Sequence, residues 1–388
     1  MAVTVLYDIK MLIKGFTLNV ATTRTIVVLF FAFVAVLSNT AVAQDQKAKL
    51  PSKNELTSDE FNQWTAFINS LVVKQQFSGV VLLANNGEVK FQKAYGLARR
   101  NPSAPNRLNT KFSIASMGKM FTAVAILQLV EKGKLSLEDT VQKVAPGLMR
   151  KETAEKVKIK HLLNHTSGIE NLITYPVDNW HHYLAVLEVS SLTDEPASKY
   201  DYNDWNYVAL GAIFERVSGK DYFNYVQEHI FTPLKMTSTG NHKGNPPVNG
   251  AIGYYSVEEN GKLRFGTRLY TGVLGSPVGG QYSTVHDLNV FLHALVTNKL
   301  LSPEMTRQML TPKPELKNTR YGYGIQYFLD GKLVGHSGGD NVYPMDAWGL
   351  LYPPTQYSLI VLSNLRTNLG DESTAKPIVT KLLDLIEK

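Results

Sequence analysis

The stretch Ser116-Met-Gly-Lys-Met-Phe-Thr-Ala-Val-Ala-Ile-Leu-Gln-Leu-Val130 joins a serine and a lysine to a long apolar run. It predicts a helix that continues to Lys132, is closed by Gly133 and is apolar on most of its faces. Such a helix is usually buried at the centre of a domain. The stretch therefore predicts a central helix around which the rest of the chain packs.

Strands are predicted on both sides of this helix, near the two ends of the chain. Ser78–Ala84 and Glu88–Tyr95 are β-rich runs joined by Asn85-Asn86-Gly87, which is typical of a hairpin turn. From Tyr321 the strand pattern returns, at 321–328, 332–336, 346–352 and 357–363. The sequence therefore predicts strands from two distant parts of the chain.

The middle of the chain, about 135–310, is mainly helical with long loops. Thr57-Ser-Asp-Glu60 is a capping-box pattern that begins an amphipathic helix to about Gln75, and another amphipathic helix covers about 372–387. We therefore expect an α/β (α+β) fold. Its antiparallel sheet (about 57–110 and 315–388) is flanked by N- and C-terminal helices, with an inserted mainly helical region (about 116–310).

Composition excludes several kinds of protein. The 388 residues are 44% hydrophobic, contain no cysteine and carry a formal net charge of +7. Without cysteine there are no disulfides, thiolate metal sites, iron–sulfur clusters or cysteine nucleophile. No dense block of lysine and arginine occurs, so a nucleic-acid surface is not indicated.

The N-terminal segment is predicted to be a secretory signal. Ile26–Leu37 is an uninterrupted apolar run, preceded by basic residues and followed by a small-x-small site that ends at Ala43. The alternative is an uncleaved membrane anchor, but the run is short of the roughly 20 residues that cross a bilayer. Met11 is an alternative start. We expect a signal peptide at 1–43 cleaved after Ala43, a flexible lead-in at 44–56 and a single domain at 57–388, exported to a bacterial periplasm or cell envelope.

Ser116 and Lys119 place a nucleophile and a base three residues apart at the start of the predicted central helix. Positions i and i+3 share one helix face, so the side chains would lie within hydrogen-bond reach. The N-terminal N–H groups of the helix would also stabilise an oxyanion near the serine. Burial by the apolar run that follows would favour loss of the lysine proton, because desolvation disfavours the charged form.

Two other motifs compete with this interpretation. Ser373-Thr-Ala-Lys376 has the same spacing, but it lies in a polar helix start just before Pro377, where a capping serine is the simpler interpretation. Gly335-His-Ser337-Gly-Gly339 matches the G-x-S-x-G nucleophile elbow, which needs a following helix and a later histidine. Asp340-Asn-Val-Tyr-Pro344 is poor helix material and no histidine follows His336, so the elbow is excluded.

The stretch Phe112-Ser-Ile-Ala-Ser116-Met-Gly-Lys119 resembles the first motif of serine β-lactamase-related proteins. That family includes class C β-lactamases, D-Ala-D-Ala carboxypeptidases (penicillin-binding proteins), esterases and D-aminopeptidases. The resemblance covers about 78–365 and includes further segments: Leu162-Leu-Asn-His-Thr-Ser-Gly-Ile169, Pro233-Leu-Lys-Met236, Gly279-Gly-Gln-Tyr-Ser-Thr284 and the terminal strand motif. It implies a β-lactamase/transpeptidase-like fold.

The resemblance implies the residues that move protons. Ser116 would be the acylated nucleophile and Lys119 its base partner. The family's second motif, Tyr-x-Asn, falls on Tyr202-Asn203-Asp204. Tyr202 would share the proton shuttle, as base in acylation and as acid to the leaving group.

The resemblance also implies the residues that bind substrate. The third motif falls on His336-Ser337-Gly338, where Ser337 would hydrogen-bond the substrate and His336 would tune the local field. The implied oxyanion hole uses the backbone N–H of Ser116 and one on the terminal strand, nearest Asp346 or Ala347.

Two positions depart from the family pattern. Asp204 stands where the family usually has asparagine, and a carboxylate accepts hydrogen bonds but does not donate them. Asp204 would hold Lys119 charged, or favour a substrate amine or hydroxyl. His336 stands where typical β-lactamases have lysine, and a neutral histidine attracts a substrate carboxylate less strongly. Both departures argue against efficient β-lactam turnover.

The sequence therefore predicts an exported serine hydrolase that cleaves an ester or amide bond through a Ser116 acyl-enzyme. A D-alanyl-D-alanine carboxypeptidase- or esterase-like activity is favoured. The alternatives are a class C-like β-lactamase and a non-hydrolytic penicillin-binding or scaffolding relative. No metal or organic cofactor is needed, and His161 and His165, four residues apart, lack a third metal ligand. The expected partner is a small-molecule or peptide substrate, such as a peptidoglycan fragment or a β-lactam.

Overall fold

The apolar stretch after Lys119 forms a buried α-helix, Lys119–Glu131, in which every residue from Lys119 to Leu127 is buried. The structure is a computed structural model of the chain. It describes residues 56–171, 179–241, 246–267, 275–312, 321–328, 331, 333–340, 344–353, 355–367 and 372–386. The predicted signal segment 1–43 and almost all of the lead-in lie outside these residues. Among them, no helix combines the length and the apolar character needed to cross a membrane.

The helices are numbered in chain order, and the buried one is α2. Their bounds are α1 (Ser58–Val73), α2 (Lys119–Glu131), α3 (Val141–Val144), α4 (Lys151–Lys156), α5 (Ile159–Leu163), α6 (Leu184–Glu188), α7 (Asp204–Ser218), α8 (Tyr222–Val226), α9 (Val285–Val296), α10 (Pro303–Leu310) and α11 (Lys376–Ile386). Short 3₁₀ turns cover Ala115–Gly118 and Trp180–Tyr183, and a π turn covers Gln227–Phe231.

The strands come from both ends of the chain and from three places between them. Their bounds are β1 (Gly79–Asn85), β2 (Glu88–Tyr95), β3 (Leu97–Arg100), β4 (Ser103–Pro105), β5 (Phe112–Ser113), β6 (Gly240–Asn241), β7 (Tyr254–Glu259), β8 (Lys262–Gly266), β9 (Gln281–Ser283), β10 (Gln326–Phe328), β11 (Leu333–Asp340), β12 (Met345–Tyr352), β13 (Tyr357–Ser363), β14 (Leu365–Thr367) and β15 (Glu372–Ser373).

The main sheet has the order β10-β11-β12-β13-β1-β2 and is antiparallel throughout. β1 and β13 pair in a continuous register from Gly79↔Ser363 to Asn85↔Tyr357, which joins the two distant parts of the chain. The β1–β2 hairpin turns at Asn86 and Gly87, whose φ angles of 50° and 78° suit asparagine and glycine. The expected antiparallel sheet is confirmed.

The main sheet separates two apolar cores. Alternate residues of β1 point to opposite faces: Val80 and Leu82 join the core around α2, and Val81 and Leu83 join the core under α1 and α11. Trp64 of α1 donates its indole N–H to the carbonyl of Ile378 in α11 at 3.1 Å. The terminal helices therefore flank one face of the sheet, as expected, and α2 packs against the other.

The structure differs from the sequence prediction in the middle of the chain. The region expected to be mainly helical also contains the β7–β8 hairpin, and β7 pairs with β14 near the C-terminus. Two short segments, β6 and β9, form a second small sheet with β5. These strands are short and pair with distant partners, so the local pattern does not distinguish them from loops.

Candidate active site

Ser116 lies in a tight turn at the entry to α2. The turn Ala115–Gly118 is a 3₁₀ helix, not the first turn of the α-helix predicted from the sequence. Positions i and i+3 eclipse one another in this geometry, which brings Lys119 Nζ to 3.0 Å from Ser116 Oγ. Ala115 has a φ of 43°, an uncommon value for a residue with a side chain. A Cβ on Gly118 would lie 1.9 Å from Gln281 Oε1, so a glycine is required for this close approach.

Lys119 is fully buried, and its ammonium nitrogen contacts oxygen atoms of Ser116, Val278 and Asp204. Its ammonium nitrogen lies 3.0 Å from Ser116 Oγ, 3.0 Å from the carbonyl oxygen of Val278 and 2.8 Å from Asp204 Oδ1. As an ammonium it donates to all three atoms. As a neutral amine it would donate to the carbonyl and the carboxylate and accept the hydroxyl proton of Ser116. The same contacts therefore fit both protonation states of the lysine.

The surroundings favour the charged state of Lys119. Burial lowers its pKa, but the charge of Asp204 and the proximity of Tyr202 together outweigh burial and raise the pKa above its ordinary value. Burial is also the largest influence on Tyr202 and raises its pKa, although Lys119 and Ser116 act in the opposite direction. In the resting enzyme the site therefore holds an ammonium ion and a neutral phenol.

Tyr202 and Asp204 are placed by a buried histidine. His165 is 1% exposed, and its Nδ1 accepts the backbone N–H of Asn203 at 3.2 Å. Its ring centroid lies 4.4 Å from that of Tyr202. Asn203 caps α7 by accepting the N–H of Trp205, so Asp204 is the first residue of that helix. His165 thus fixes the loop that carries two of the predicted site residues.

His165 is neutral. Burial lowers its pKa well below the ordinary value, and the positive charge of Lys119 acts in the same direction. A neutral imidazole has one acceptor nitrogen, which agrees with acceptance at Nδ1. In the sequence, this residue belongs to the Leu162–Ile169 segment that carries part of the family resemblance. Its contact with the Tyr202 loop joins positions 37 residues apart, which local spacing does not reveal.

The third motif lies on β11 and contributes no positive charge. His336 is fully buried, and its Nδ1 contacts the carbonyl oxygen of Ser337, which only accepts hydrogen bonds. The proton is therefore assigned to Nδ1, and Nε2 accepts from the hydroxyl of Tyr321 at 2.8 Å. Burial, helped by the charge of Lys119, lowers the pKa of His336 to about 3. The histidine is thus a neutral element of the site.

Ser337 lies at the edge of the main sheet and is held by a residue that sequence reasoning missed. Its backbone N–H and its hydroxyl both donate to Oε1 of Gln326, each at 2.9 Å. Gln326 is the first residue of β10, and its side chain covers the part of β11 that extends beyond that strand. No motif in the sequence distinguished this glutamine from any other polar residue in a strand.

Gly338 brings β11 against the Ser116 turn. A Cβ at this position would lie 2.2 Å from the carbonyl oxygen of Ile114 and 3.1 Å from the backbone nitrogen of Ser116. Glycine is therefore required for the close approach of the strand to the nucleophile. This proximity places the predicted third motif beside the predicted first motif.

The second oxyanion donor expected near Asp346 or Ala347 is wrong. Both residues lie on β12, which pairs with β11 on one side and β13 on the other, so its N–H groups are directed into the sheet. In a strand, N–H groups two residues apart point to the same side. The N–H of Gly339 therefore points, like that of Ser337, to the edge not covered by β12. With Ser116, Gly339 is the better candidate for an oxyanion hole.

The structure thus brings the predicted residues to one place. Ser116, Lys119 and Asp204 form a chain of direct contacts, and the Tyr202 ring lies 4.9 Å from Lys119 Nζ. Gly338 contacts the turn itself. The charge of Lys119 helps to keep His336 neutral, and Ser337 borders the site at the strand edge.

Comparison with known proteins agrees with this geometry. The profile of the Beta-lactamase family matches residues 64–383. Penicillin-binding protein 4* of Bacillus subtilis is 31% identical over 319 residues, covering 75% of this chain and 69% of that protein. The crystal structure of a penicillin-binding protein from Bacillus halodurans has a TM-score of 0.68 at 27% identity, covering 81% of this chain and 98% of that one.

A D-amino acid amidase from Ochrobactrum anthropi shares the fold, with a TM-score of 0.69 at 22% identity over 85% of this chain and 99% of that one. Since the family profile covers most of the chain, the protein belongs to the β-lactamase family. Membership of this family, with Ser116 and Lys119 in contact at 3.0 Å, supports a serine hydrolase.

Proposed function

We propose that the protein is an exported serine hydrolase that cleaves an ester or amide bond through an acyl-enzyme on Ser116, with carboxypeptidase- or esterase-like activity. The observation that carries the proposal is the buried Lys119, whose contacts with Ser116, Val278 and Asp204 accommodate both the amine and the ammonium. A lysine that can accept a proton without any movement of the groups that hydrogen-bond it is suited to activating a serine.

Acylation uses the fraction of enzyme in which Lys119 is the neutral amine. Ser116 Oγ attacks the carbonyl carbon, and its proton passes to Lys119 Nζ. The N–H groups of Ser116 and Gly339 would stabilise the oxyanion. Tyr202 donates its phenolic proton to the departing nitrogen or oxygen and regains a proton from Lys119. Water then attacks the Ser116 ester, releasing the acid and restoring the serine hydroxyl.

The site favours hydrolysis of ordinary esters or amides over efficient turnover of β-lactams. Asp204 provides a carboxylate where an amide donor would hydrogen-bond a substrate carbonyl, and it is ion-paired with Lys119 at 2.8 Å. His336 is neutral because of its burial and so does not attract a substrate carboxylate by charge. A class C-like β-lactamase is therefore the less favoured function.

A substrate panel tests the proposal. Purified protein and Ser116→Ala would be compared on p-nitrophenyl esters, a D-Ala-D-Ala peptide, amino-acid amides and nitrocefin. We expect hydrolysis of at least one ester or amide, faster than that of nitrocefin, and its loss in the variant. No hydrolysis by folded protein that also fails to react with a fluorophosphonate would favour a non-hydrolytic relative. Faster nitrocefin turnover would favour the β-lactamase.

Export is part of the proposal and has its own test. The Ile26–Leu37 run and the small-residue site at Ala43 support a cleaved signal segment. Protein recovered from a bacterial envelope fraction is expected to begin at Gln44 by intact-mass measurement. Full-length protein retained in the membrane fraction would instead indicate an uncleaved anchor.

A further inference from the structure

Asp204 lies at the boundary between the buried base and the open part of the site. Its side chain is 47% exposed, whereas that of Lys119, its ion-pair partner, is 0% exposed. Oδ1, the atom in contact with Lys119, is itself buried. The exposure therefore belongs to the remaining atoms of the side chain, which include Oδ2. One oxygen of the carboxylate faces the base, and the other is available to a ligand.

The carboxylate is also close to the nucleophile. Lys119 Nζ contacts Ser116 Oγ at 3.0 Å and Asp204 Oδ1 at 2.8 Å, so a single ammonium group separates the two. The α-nitrogen of an acyl group is two bonds from the carbonyl carbon that Ser116 attacks. A group at that position lies within reach of Asp204 when the carbonyl is held at Ser116.

The local charges favour a cation at this place. A carboxylate accepts hydrogen bonds only, so its free oxygen suits an N–H or O–H donor and binds an ammonium most strongly. Lys119 balances Asp204 in the free enzyme but lies wholly on the buried side. The buried His336 of the third motif is neutral and adds no positive charge. A substrate ammonium would thus meet a negative oxygen, whereas a substrate carboxylate there would be repelled.

We propose that Asp204 is a specificity-determining residue that selects substrates with a free ammonium group on the carbon next to the scissile carbonyl, that is, amides or esters of unblocked amino acids. This inference rests on the proposed function and names the substrate class of the same site. It follows from the juxtaposition of an exposed carboxylate oxygen, a buried base and the nucleophile.

The same contact would couple substrate binding to activation. In the free enzyme the charge of Asp204 holds Lys119 as an ammonium, which is not a base. A substrate ammonium on Oδ2 shares that negative charge and so weakens the stabilisation of the Lys119 ammonium. Lys119 then releases its proton more readily and accepts that of Ser116. A neutral substrate of the same shape would bind without this effect.

A pair of matched substrates and three variants test the inference. The substrates are phenylalanine p-nitroanilide, as each enantiomer, and 3-phenylpropanoyl p-nitroanilide, which lacks only the amino group. The half-exposed Tyr200, which stacks on Tyr321 at 6.0 Å, makes an aromatic side chain a reasonable choice. The variants are Asp204→Asn, Asp204→Glu and Asp201→Asn. Asp201 is an exposed carboxylate of the same loop whose removal leaves the Lys119 ion pair intact.

We expect the protein to prefer one enantiomer of the amine substrate over its des-amino analogue by about tenfold to a hundredfold in kcat/KM, since a charged hydrogen bond contributes about 1.5–3 kcal/mol. Asp204→Asn should abolish this preference and raise the rate with the des-amino substrate. Asp204→Glu should retain part of it, and Asp201→Asn should retain it in full.

Fluorophosphonate labelling of Ser116, measured in each variant, distinguishes a failure of the inference about Asp204 from a failure of the proposed hydrolase function. If the proteins are labelled and the preference is absent, or persists in Asp204→Asn, the inference is overturned while the proposed function stands. If folded wild-type protein is neither labelled nor active, the proposed function fails and the inference fails with it.

Discussion

Ser116–Lys119 and Ser373–Lys376 have the same spacing in the sequence but opposite surroundings in the fold. Lys119 is fully buried and contacts Ser116, Val278 and Asp204. Lys376 is exposed, and its backbone N–H donates to Ser373 Oγ at 2.9 Å. That hydroxyl donates in turn to Asp346 Oδ2 at 2.6 Å. The second serine caps α11, as expected from its polar context.

The difference shows what the spacing alone lacks. A serine becomes a nucleophile when a base within reach can change its protonation state, and burial with an adjacent carboxylate controls that state. A lysine in water remains an ammonium and does not activate the serine. The apolar run after Lys119 supplies burial, and the α7 loop supplies the carboxylate.

The largest effect on hydrolysis is expected when each of the two serines is replaced separately by alanine. Ser116→Ala removes the nucleophile and should lower ester or amide hydrolysis by about 10³-fold or more. Ser373→Ala removes a helix cap, so it should leave hydrolysis unchanged and lower the free energy of unfolding by about 1 kcal/mol. Turnover and urea unfolding of both variants measure this. Loss of hydrolysis in Ser373→Ala but not in Ser116→Ala would show that Ser373, and not Ser116, is the nucleophile.

The two lysines provide the next contrast. Arginine keeps its positive charge near neutral pH and does not act as a base. Lys119→Arg should therefore slow acylation by about 10²–10⁴-fold. Lys376→Arg, at an exposed position, should have no effect. The rate of fluorophosphonate labelling measures acylation directly. A wild-type rate in Lys119→Arg would show that the lysine contributes only its charge.

Asp204→Asn tests the origin of the lysine charge. Because Asp204 raises the pKa of Lys119, the reactive amine forms only as the pH rises through that raised value. Removing the carboxylate lowers the pKa, so the rising limb of the pH–rate profile should move to lower pH. Acylation by a fluorescent penicillin should increase several-fold at neutral pH. Asp201→Asn is the control, and an unmoved limb would contradict the role assigned to Asp204.

The smallest effect on activity is expected at His165, which acts through the Tyr202 loop. Asparagine tolerates the positive φ of 58° at position 165, but the His165→Asn variant lacks the ring that packs on Tyr202. The free energy of unfolding should fall by about 1–3 kcal/mol, with slower acylation. Tyr202→Phe combined with His165→Asn should slow acylation little further if both act through the phenol. Fully additive losses would argue for independent roles.

Much of the fold could be predicted because local signals agreed with the final packing. Asn86-Gly87 specified the β1–β2 turn, and the uninterrupted apolar run after Lys119 specified the buried helix. The β7–β8 hairpin was missed because short, polar strands resemble loops when their distant partner, β14, is unknown. The periodicity of a sequence indicates which residues are buried, and these strands have few buried residues.

The candidate site was predictable to the extent that its residues belong to motifs. Ser116, Lys119 and Tyr202 were identified this way, and the structure brings them together. Gln326 was not, because its contact with Ser337 arises from strand pairing. The oxyanion donor was misplaced to Asp346 or Ala347, because the sequence does not show which strand is interior. Only the strand register shows that Gly339 lies beyond the part of β11 that pairs with β10.

The central claim is that the buried environment of Lys119 makes Ser116, and no other serine, the nucleophile. Peptide mapping by mass spectrometry after reaction with a fluorophosphonate tests it most directly. The account predicts a single adduct on the peptide that contains Ser116, lost in Ser116→Ala and unchanged in Ser373→Ala. An adduct on Ser373 or Ser337, or labelling that persists in Ser116→Ala, would contradict it.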